Sequence, residues 1–193
     1  MKAVVNGVYE TNKMRVELSH FSVTKQFKKV GNSLARYHLE KKALQRLAHQ
    51  KFFPEIIQLD DESNVIEMSR IPGQQPDSLS VEHVNTLRKM IDTMINKGVA
   101  RHAIPIRDLL VDGDNIGMVD FERVTLRHLK YSPIWYVAEK VTYYHLYRLI
   151  QKYQPQALTP SEMKVLDMFN NARARLQPIR HFITAVKTAF KSN

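Results

Sequence analysis

The stretch RHAIPIRDLLVDGDNIGMVDFERV, Arg101 to Val124, decides the fold of this protein. Two short apolar runs, LLV and IGMV, flank the polar turn DGDN, and this pattern predicts a β-hairpin. Asp108 precedes the first strand and Asp120 follows the second. Because an antiparallel hairpin brings its open ends together, the two carboxylates should lie on the same side. Such a pair suits a hard cation such as Mg²⁺, and the alternative is a pair of ordinary turn and cap aspartates.

The composition limits the possible classes of protein. A chain of 193 residues predicts one domain, or two small lobes that share a cleft. No apolar run approaches the roughly 20 residues that a membrane-spanning helix needs, and the N-terminus does not look like a secretory signal. The chain has no cysteine, which excludes disulfides, thiolate zinc sites and thiol nucleophiles. We therefore expect a cytoplasmic protein, and peripheral contact with the inner membrane is left open.

The net charge of +10 indicates an anionic partner, such as a nucleotide, a phosphorylated glycan, an acidic lipid or nucleic acid. The charge is spread over separate short clusters, among them KQFKK and RARLQPIR, and does not form one tract. A basic, solvated surface is therefore the alternative interpretation. No recognisable nucleic-acid motif accompanies the charge.

The first third of the chain predicts strands around one helix. Segments 2–9, 13–18 and 21–27 are candidate strands, a helix of about 16 residues begins at Ser33, and EIIQLDD and NVIEMSR form a second hairpin. The proline- and glycine-containing segment 71–79 marks a boundary. The prediction is an α+β protein with a β-rich lobe at 1–70, a hinge at 71–79 and a helical lobe at 80–193.

Helical periodicity dominates the second part of the chain. Ser80 should cap a helix whose buried stripe is Val84, Leu87, Ile91, Met94 and Ile95. Three later helices, at about 133–153, 160–175 and 178–190, each begin at a proline. The last two predict an amphipathic closing segment that packs its apolar side chains and exposes a basic face. The alternative is a helix that binds a membrane surface or a partner.

Lys25 and Glu40 are a candidate buried ion pair. Lys25 shares a face of its predicted strand with Val23 and Phe27, and a lysine buried without an anion costs several kcal/mol. Glu40 lies on the apolar face of the following helix. The alternative is that both side chains reach solvent separately.

In their order and spacing, these residues resemble the protein kinase-like superfamily over about residues 15 to 150. The order and spacing of the motifs are similar to those of compact bacterial lipopolysaccharide (Kdo and heptose) kinases and RIO-type kinases. The resemblance implies that Lys25 holds nucleotide phosphates and that Glu40 is its helix partner in the nucleotide site. It also implies that MSRIPG is the hinge, with Glu67, Met68 and Ser69 at the nucleotide. It implies that RHAIPIRDLLV is the catalytic loop and MVDFE the metal-binding segment. ATP and Mg²⁺ are the implied cofactors, with Asp108 and Asp120 as metal ligands.

The sequence also departs from the kinase pattern. Ala103 stands where the catalytic aspartate is expected, Asp108 where the loop asparagine is expected, and no glycine-rich phosphate loop is present. His102 and Asp108 remain as candidate catalytic residues. The expected function is transfer of the γ-phosphate of ATP to a hydroxyl on a glycan, of the lipopolysaccharide core type, or on a protein. The alternative is a pseudokinase, a nucleotide-binding or regulatory module without turnover.

Overall fold

The computed structural model describes residues 7–129 and 131–189, with side chains as far as residue 175. Its first part is an antiparallel sheet of five strands in the order β1-β2-β3-β5-β4. The elements are β1 Val8–Glu10, β2 Met14–Leu18, β3 Ser22–Phe27, α1 Ser33–Arg46, β4 Ile56–Asp60 and β5 Val65–Ser69. Strands and helices share one core, so the predicted α+β class is confirmed.

Strand alternation and helix periodicity direct apolar side chains to the same core. Phe27 of β3 and Ile66 of β5 are buried, and Tyr37 of α1 packs edge-to-face on Phe27 with ring centroids 5.8 Å apart. Lys25 lies two residues before Phe27 on β3, so its side chain also faces inward. The packing of α1 on this sheet therefore puts Lys25 and Glu40 on facing surfaces.

The second part combines helices with short strands. Its elements are α2 Val81–Asn96, β6 Val99–Arg101, β7 Leu109–Asp112, β8 Asn115–Met118, β9 Val124–Leu126, α3 Pro133–Tyr153 and α4 Pro160–Ala189. β6 pairs with β9, and β7 pairs with β8 in the predicted hairpin, with Leu109 opposite Met118. The stripe predicted for α2 is buried along its whole length. The Ser80 hydroxyl accepts the hydrogen bond of the His83 amide at 3.1 Å, which confirms the predicted cap.

Segment 71–79 connects the two parts without a helix or strand of its own. It is attached to β7, because Gln74 and Val111 form an isolated bridge with N–O distances of 3.0 and 2.8 Å. Gly73 has a φ of +103°, where side chains are disfavoured. A Cβ atom at this position would also overlap the Val111 carbonyl. Close approach of the segment to β7 therefore requires glycine.

The structure corrects the prediction of two helices at the C-terminus. Residues 160–189 form one helix, which continues through Pro178. An interior proline removes one hydrogen bond and costs about 3 kcal/mol, yet the backbone stays helical on both sides of Pro178. The amphipathic packing predicted for this segment depends on side chains beyond residue 175, which lie outside the described residues, as do positions 2–6 of the first predicted strand.

No helix in the described part of the chain combines the length and apolar character needed to cross a membrane.

We predict that Gly73→Ala destabilises the protein more than Gly113→Ala does. Both glycines have positive φ, and Gly113 has open space where a Cβ atom would lie. The control should therefore cost only the left-handed backbone penalty of about 1–2 kcal/mol, whereas Gly73→Ala adds a backbone clash. Urea unfolding of both variants measures the difference, and equal losses would contradict the close packing of segment 71–79 on β7.

Candidate functional site

A cleft of about 440 Å³ lies between the five-stranded sheet and the β7–β8 hairpin. Apolar side chains from both sides form its walls, including Val16, Leu18, Val23, Met68, Ile71 and Leu110. Its charged groups include Lys25, Glu40, Asp108 and Asp120. The cleft therefore combines an apolar compartment, suited to a flat ring, with a charged end.

Lys25 occupies the charged end and contacts two carboxylates. Its Nζ is 2.7 Å from Oε2 of Glu40 and 2.8 Å from Oδ1 of Asp120. Lys25 and Glu40 are 6% and 1% exposed, so this pair is shielded from water. The predicted Lys25–Glu40 pair is therefore confirmed, and Asp120 is an additional partner that was not predicted.

The two carboxylates keep Lys25 charged. Burial alone would lower the pKa of Lys25, but the charges of Glu40 and Asp120 outweigh burial and raise that pKa above its ordinary value. Burial also acts to raise the pKa of Asp120, and Lys25 outweighs it, so the pKa of Asp120 is below its ordinary value. The charged end thus holds one ammonium and an ionised Asp120 at neutral pH.

Helix α1 is joined to the segment around Asp120 at further points. The Phe121 amide donates to Oε1 of Glu40 at 3.2 Å, and Arg36 is 2.6 Å from Glu122. Asp120 has a φ of +66°, in the left-handed region that aspartate tolerates better than most residues. At this turn the Asp120 side chain contacts Lys25, whereas the side chain of the next residue, Phe121, is buried in the core. The fold therefore fixes Asp120 from both the strand and the helix.

Asp108 is paired with a buried arginine. Nη2 of Arg101 is 2.5 Å from Oδ2 of Asp108, and Nη1 of Arg101 donates to the Val119 carbonyl at 2.9 Å. The guanidinium also lies 5.2 Å from the centroid of the Phe121 ring. Burial raises the pKa of Asp108, Arg101 opposes this, and the charge of Asp120 adds to the rise. Arg101 therefore joins the loop to the end of β8.

Asp108 and Asp120 both line the cleft, as the hairpin predicted. The part of the chain that is described contains no group of three or more His, Asp or Glu side chains that could hold a metal ion. Mg²⁺ commonly uses one or two carboxylates together with phosphate oxygens and water. One oxygen of each aspartate pairs with Arg101 or Lys25. The two residues therefore fit a Mg²⁺ ion that reaches the cleft with phosphate groups, and they do not form a complete cage by themselves.

His102 and Ala103 lie outside the set of residues that line the cleft. His102 is exposed, and its Nε2 is 2.8 Å from the Thr125 hydroxyl of β9. Ala103 is exposed and lines a different pocket. Of the two candidate catalytic residues, only Asp108 therefore lies at the cleft.

Of the three residues of β5 that were predicted to lie at the nucleotide, two line the cleft. Met68 and Ser69 line the cleft, whereas Glu67, opposite Thr24 and Gln58, does not. The Ser69 amide donates to the Glu55 carbonyl at 2.7 Å, so it is already used. The Ser69 hydroxyl also accepts a hydrogen bond from the Glu55 amide at 2.8 Å, so Met68 is the residue of this strand whose side chain forms an apolar wall of the cleft.

Sequence reasoning missed two arginines of the site. The sequence pattern assigns Arg101 no role in the site, because nothing in it shows that Arg101 pairs with Asp108. Arg107 lines the cleft, with Nε 3.6 Å from Oδ1 of Asp108. The signal available for both was the charge balance of RHAIPIRD, in which two arginines precede one aspartate.

No protein-family model matches this sequence, and comparison with curated proteins finds no significant match.

We predict that Arg101→Met destabilises the protein by about 3–5 kcal/mol, because it leaves the buried Asp108 carboxylate without its partner. The double variant Arg101→Met/Asp108→Leu should recover most of this loss, since an apolar pair of similar volume can replace a buried ion pair. Denaturant unfolding of the two single variants and the double variant measures the coupling. Additive losses would contradict the pairing.

The Lys25–Asp120 pair also predicts a dependence of stability on pH. The lowered pKa of Asp120 contributes stability above its unfolded value of about 3.9, and this is lost as pH falls through the folded pKa. The raised pKa of Lys25 contributes stability below about 10.4, which is lost at higher pH. In Asp120→Asn, the free energy of unfolding should fall less between pH 5 and 2 than it does in the wild-type protein. Urea unfolding at a series of pH values measures this. An unchanged acid limb would show that other carboxylates cause it.

Proposed function

We propose that this protein is a kinase-like phosphotransferase that moves the γ-phosphate of ATP to a hydroxyl on a glycan or a protein. The observation that carries the proposal is Lys25 held between Glu40 and Asp120 at the charged end of an apolar cleft. A lysine fixed by a helix glutamate is the arrangement by which kinase-like proteins hold nucleotide phosphates. The strand order β1-β2-β3-β5-β4 with α1 beside β3, followed by segment 71–79, also supports the proposal.

The two compartments of the cleft match the two parts of a nucleotide. The apolar walls around Val23, Met68 and Leu110 suit the base, and Lys25 and Arg107 supply positive charge for the phosphates. When bound, Mg²⁺ would neutralise phosphate charge, and Asp108 and Asp120 are the residues that would hold it. Asp120 would keep its hydrogen bond to Lys25 and so hold that ammonium where it can contact the phosphates.

In the proposed reaction the acceptor oxygen bonds to the γ-phosphorus, and the bond from that phosphorus to the β–γ bridging oxygen breaks. The hydroxyl proton passes to solvent, because Ala103 cannot accept it. Loss of general-base help costs on the order of 10²–10⁴-fold in rate. Phosphoryl transfer depends mainly on positioning and charge neutralisation, so we expect slow turnover.

A pseudokinase is the second candidate, and two observations favour it. Ala103 lines a pocket other than the cleft, and Asp108 is already paired with Arg101. Both reduce the number of groups that could act on an acceptor. In this alternative the protein binds a nucleotide, and the bound state regulates or recruits a partner.

Calorimetry with ATP, with and without Mg²⁺, tests nucleotide binding. We predict that Lys25→Gln weakens binding on the order of tenfold or more in both conditions, because a charged hydrogen bond contributes about 1.5–3 kcal/mol. Asp120→Asn should weaken binding mainly in the presence of Mg²⁺.

Lys28→Gln is the matched control, since Lys28 follows the same strand and pairs with exposed Glu10. Val23→Trp should block the cleft while leaving Lys25, Glu40 and Asp120 intact.

Formation of ADP on the same samples separates the two candidates. Slow, Mg²⁺-dependent release of ADP that is lost in Asp120→Asn supports the phosphotransferase. Binding without any release of ADP supports the pseudokinase. Absence of ATP binding by the wild-type protein would remove both.

A further inference from the structure

A second pocket, of about 620 Å³, lies on the other side of the loop that follows β6. The loop residues 103–106 form one wall, and His145, Arg148 and Lys152 of α3 contribute to the other. The residues that line it include no aspartate and no glutamate. The pocket therefore differs from the cleft, where Lys25 and Arg107 each lie beside a carboxylate.

Arg148 and Lys152 of this pocket pair with no carboxylate of the described residues. Among the residues that the structure describes, no ion pair involves Arg148 or Lys152. Both cations lie over aromatic rings. Cζ of Arg148 is 5.6 Å from the centroid of the Tyr144 ring, and Nζ of Lys152 is 4.8 Å from the centroid of the Tyr153 ring. A ring face orients a cation without neutralising it. Both charges therefore stay available to a ligand.

His145 lies within the same positive field. Burial lowers the pKa of His145, and the charges of Arg148, Arg173 and His102 lower it further. A neutral imidazole can still donate one N–H to an oxyanion. An anion bound here would gain from every one of these groups, and no acidic side chain in the lining would oppose it.

We propose that this pocket is a phosphate-binding site, separate from the cleft, that takes inorganic phosphate or a small phosphate monoester. Arginine and lysine bind phosphate oxygens through charge-assisted hydrogen bonds. The volume lies within the usual range for small-molecule sites, about 300–1,000 Å³, which leaves room for a sugar-sized group on the phosphate. The pocket stands on its own residues, so it does not rest on nucleotide binding in the cleft.

The absence of an acid at position 103 is part of this site. Ala103 is exposed and lines the pocket, so an aspartate there would place a negative charge beside Arg148 and Lys152. Residues 107 and 108, which follow the loop wall, line the cleft. Six consecutive residues, 103–108, thus line the two sites in turn, and a ligand in the pocket would contact the loop just before Arg107 and Asp108.

Calorimetry with inorganic phosphate and glucose 6-phosphate, at constant ionic strength, tests the site. We predict that Arg148→Gln/Lys152→Gln weakens binding at least tenfold. The matched control is Lys140→Gln/Lys164→Gln, which removes two positive charges from α3 and α4 outside the pocket lining and should leave binding unchanged. Ala103→Asp should weaken binding without removing any cation. Binding of ATP by Arg148→Gln/Lys152→Gln should match that of the wild-type protein, which keeps this result distinct from nucleotide binding in the cleft.

Three outcomes would overturn the proposal. One is no binding of either phosphate compound by the wild-type protein, with glucose as the uncharged comparison. The second is an equal loss in the control double variant, which would mean a diffuse charge effect. The third is binding only to vesicles that contain phosphatidic acid, which would assign these cations to a membrane surface. Far-ultraviolet circular dichroism and urea unfolding of each variant check that the fold is kept.

Discussion

The structure depends on the contact of one buried ammonium with two carboxylates. Lys25 belongs to β3, Glu40 to α1 and Asp120 to the turn after β8, so a single charge connects three segments that are distant in sequence. A buried lysine without partners would be expensive, and so would a buried glutamate. Each therefore requires the other. If α1 moved away from the sheet, Lys25 and Glu40 would separate and each charge would lose its partner.

The same principle organises the surroundings of Asp120. Arg36 pairs with Glu122, and Arg101 pairs with Asp108 while stacking over Phe121. Buried charge in the described centre of the molecule is thus matched by opposite charge over short distances. Breaking one such pair is costly because the remaining partner stays buried. As a result, Asp108 reaches the cleft with Oδ2 paired to Arg101 and Oδ1 3.6 Å from Nε of Arg107.

The loop between β6 and β7 separates two environments of opposite character. Towards the cleft it presents Arg107 and Asp108, next to carboxylates that balance Lys25. On its other side, Ala103 leaves the cations of α3 without a nearby acid. An alanine at position 103 therefore keeps the second pocket positive, while the carboxylates of the cleft come from other residues.

Much of the fold could be predicted from local patterns, because those patterns are set within a few residues. Period-two alternation located β3, the polar turn located the hairpin between β7 and β8, and Ser80 with its apolar stripe located α2. Burial cost was enough to pair Lys25 with Glu40, since a strand face and a helix face with one charge each have few alternatives. The same reasoning broke α4 at Pro178, where local propensity exaggerated the effect of a single residue.

Only the tertiary structure decided how charges from distant segments are shared. Asp120 contacts Lys25 across 95 positions, and Arg36 contacts Glu122 across 86. Arg101 is closer to Asp108 in sequence, yet their contact depends on the path of the loop between β6 and β7. Periodicity specifies which face of an element is apolar, but it contains no information on which ionic group of another element will approach that face. For this reason the sequence determined the elements and the Lys25–Glu40 pair, while packing determined the partners of Asp120 and Asp108 and the side of the loop on which Ala103 lies.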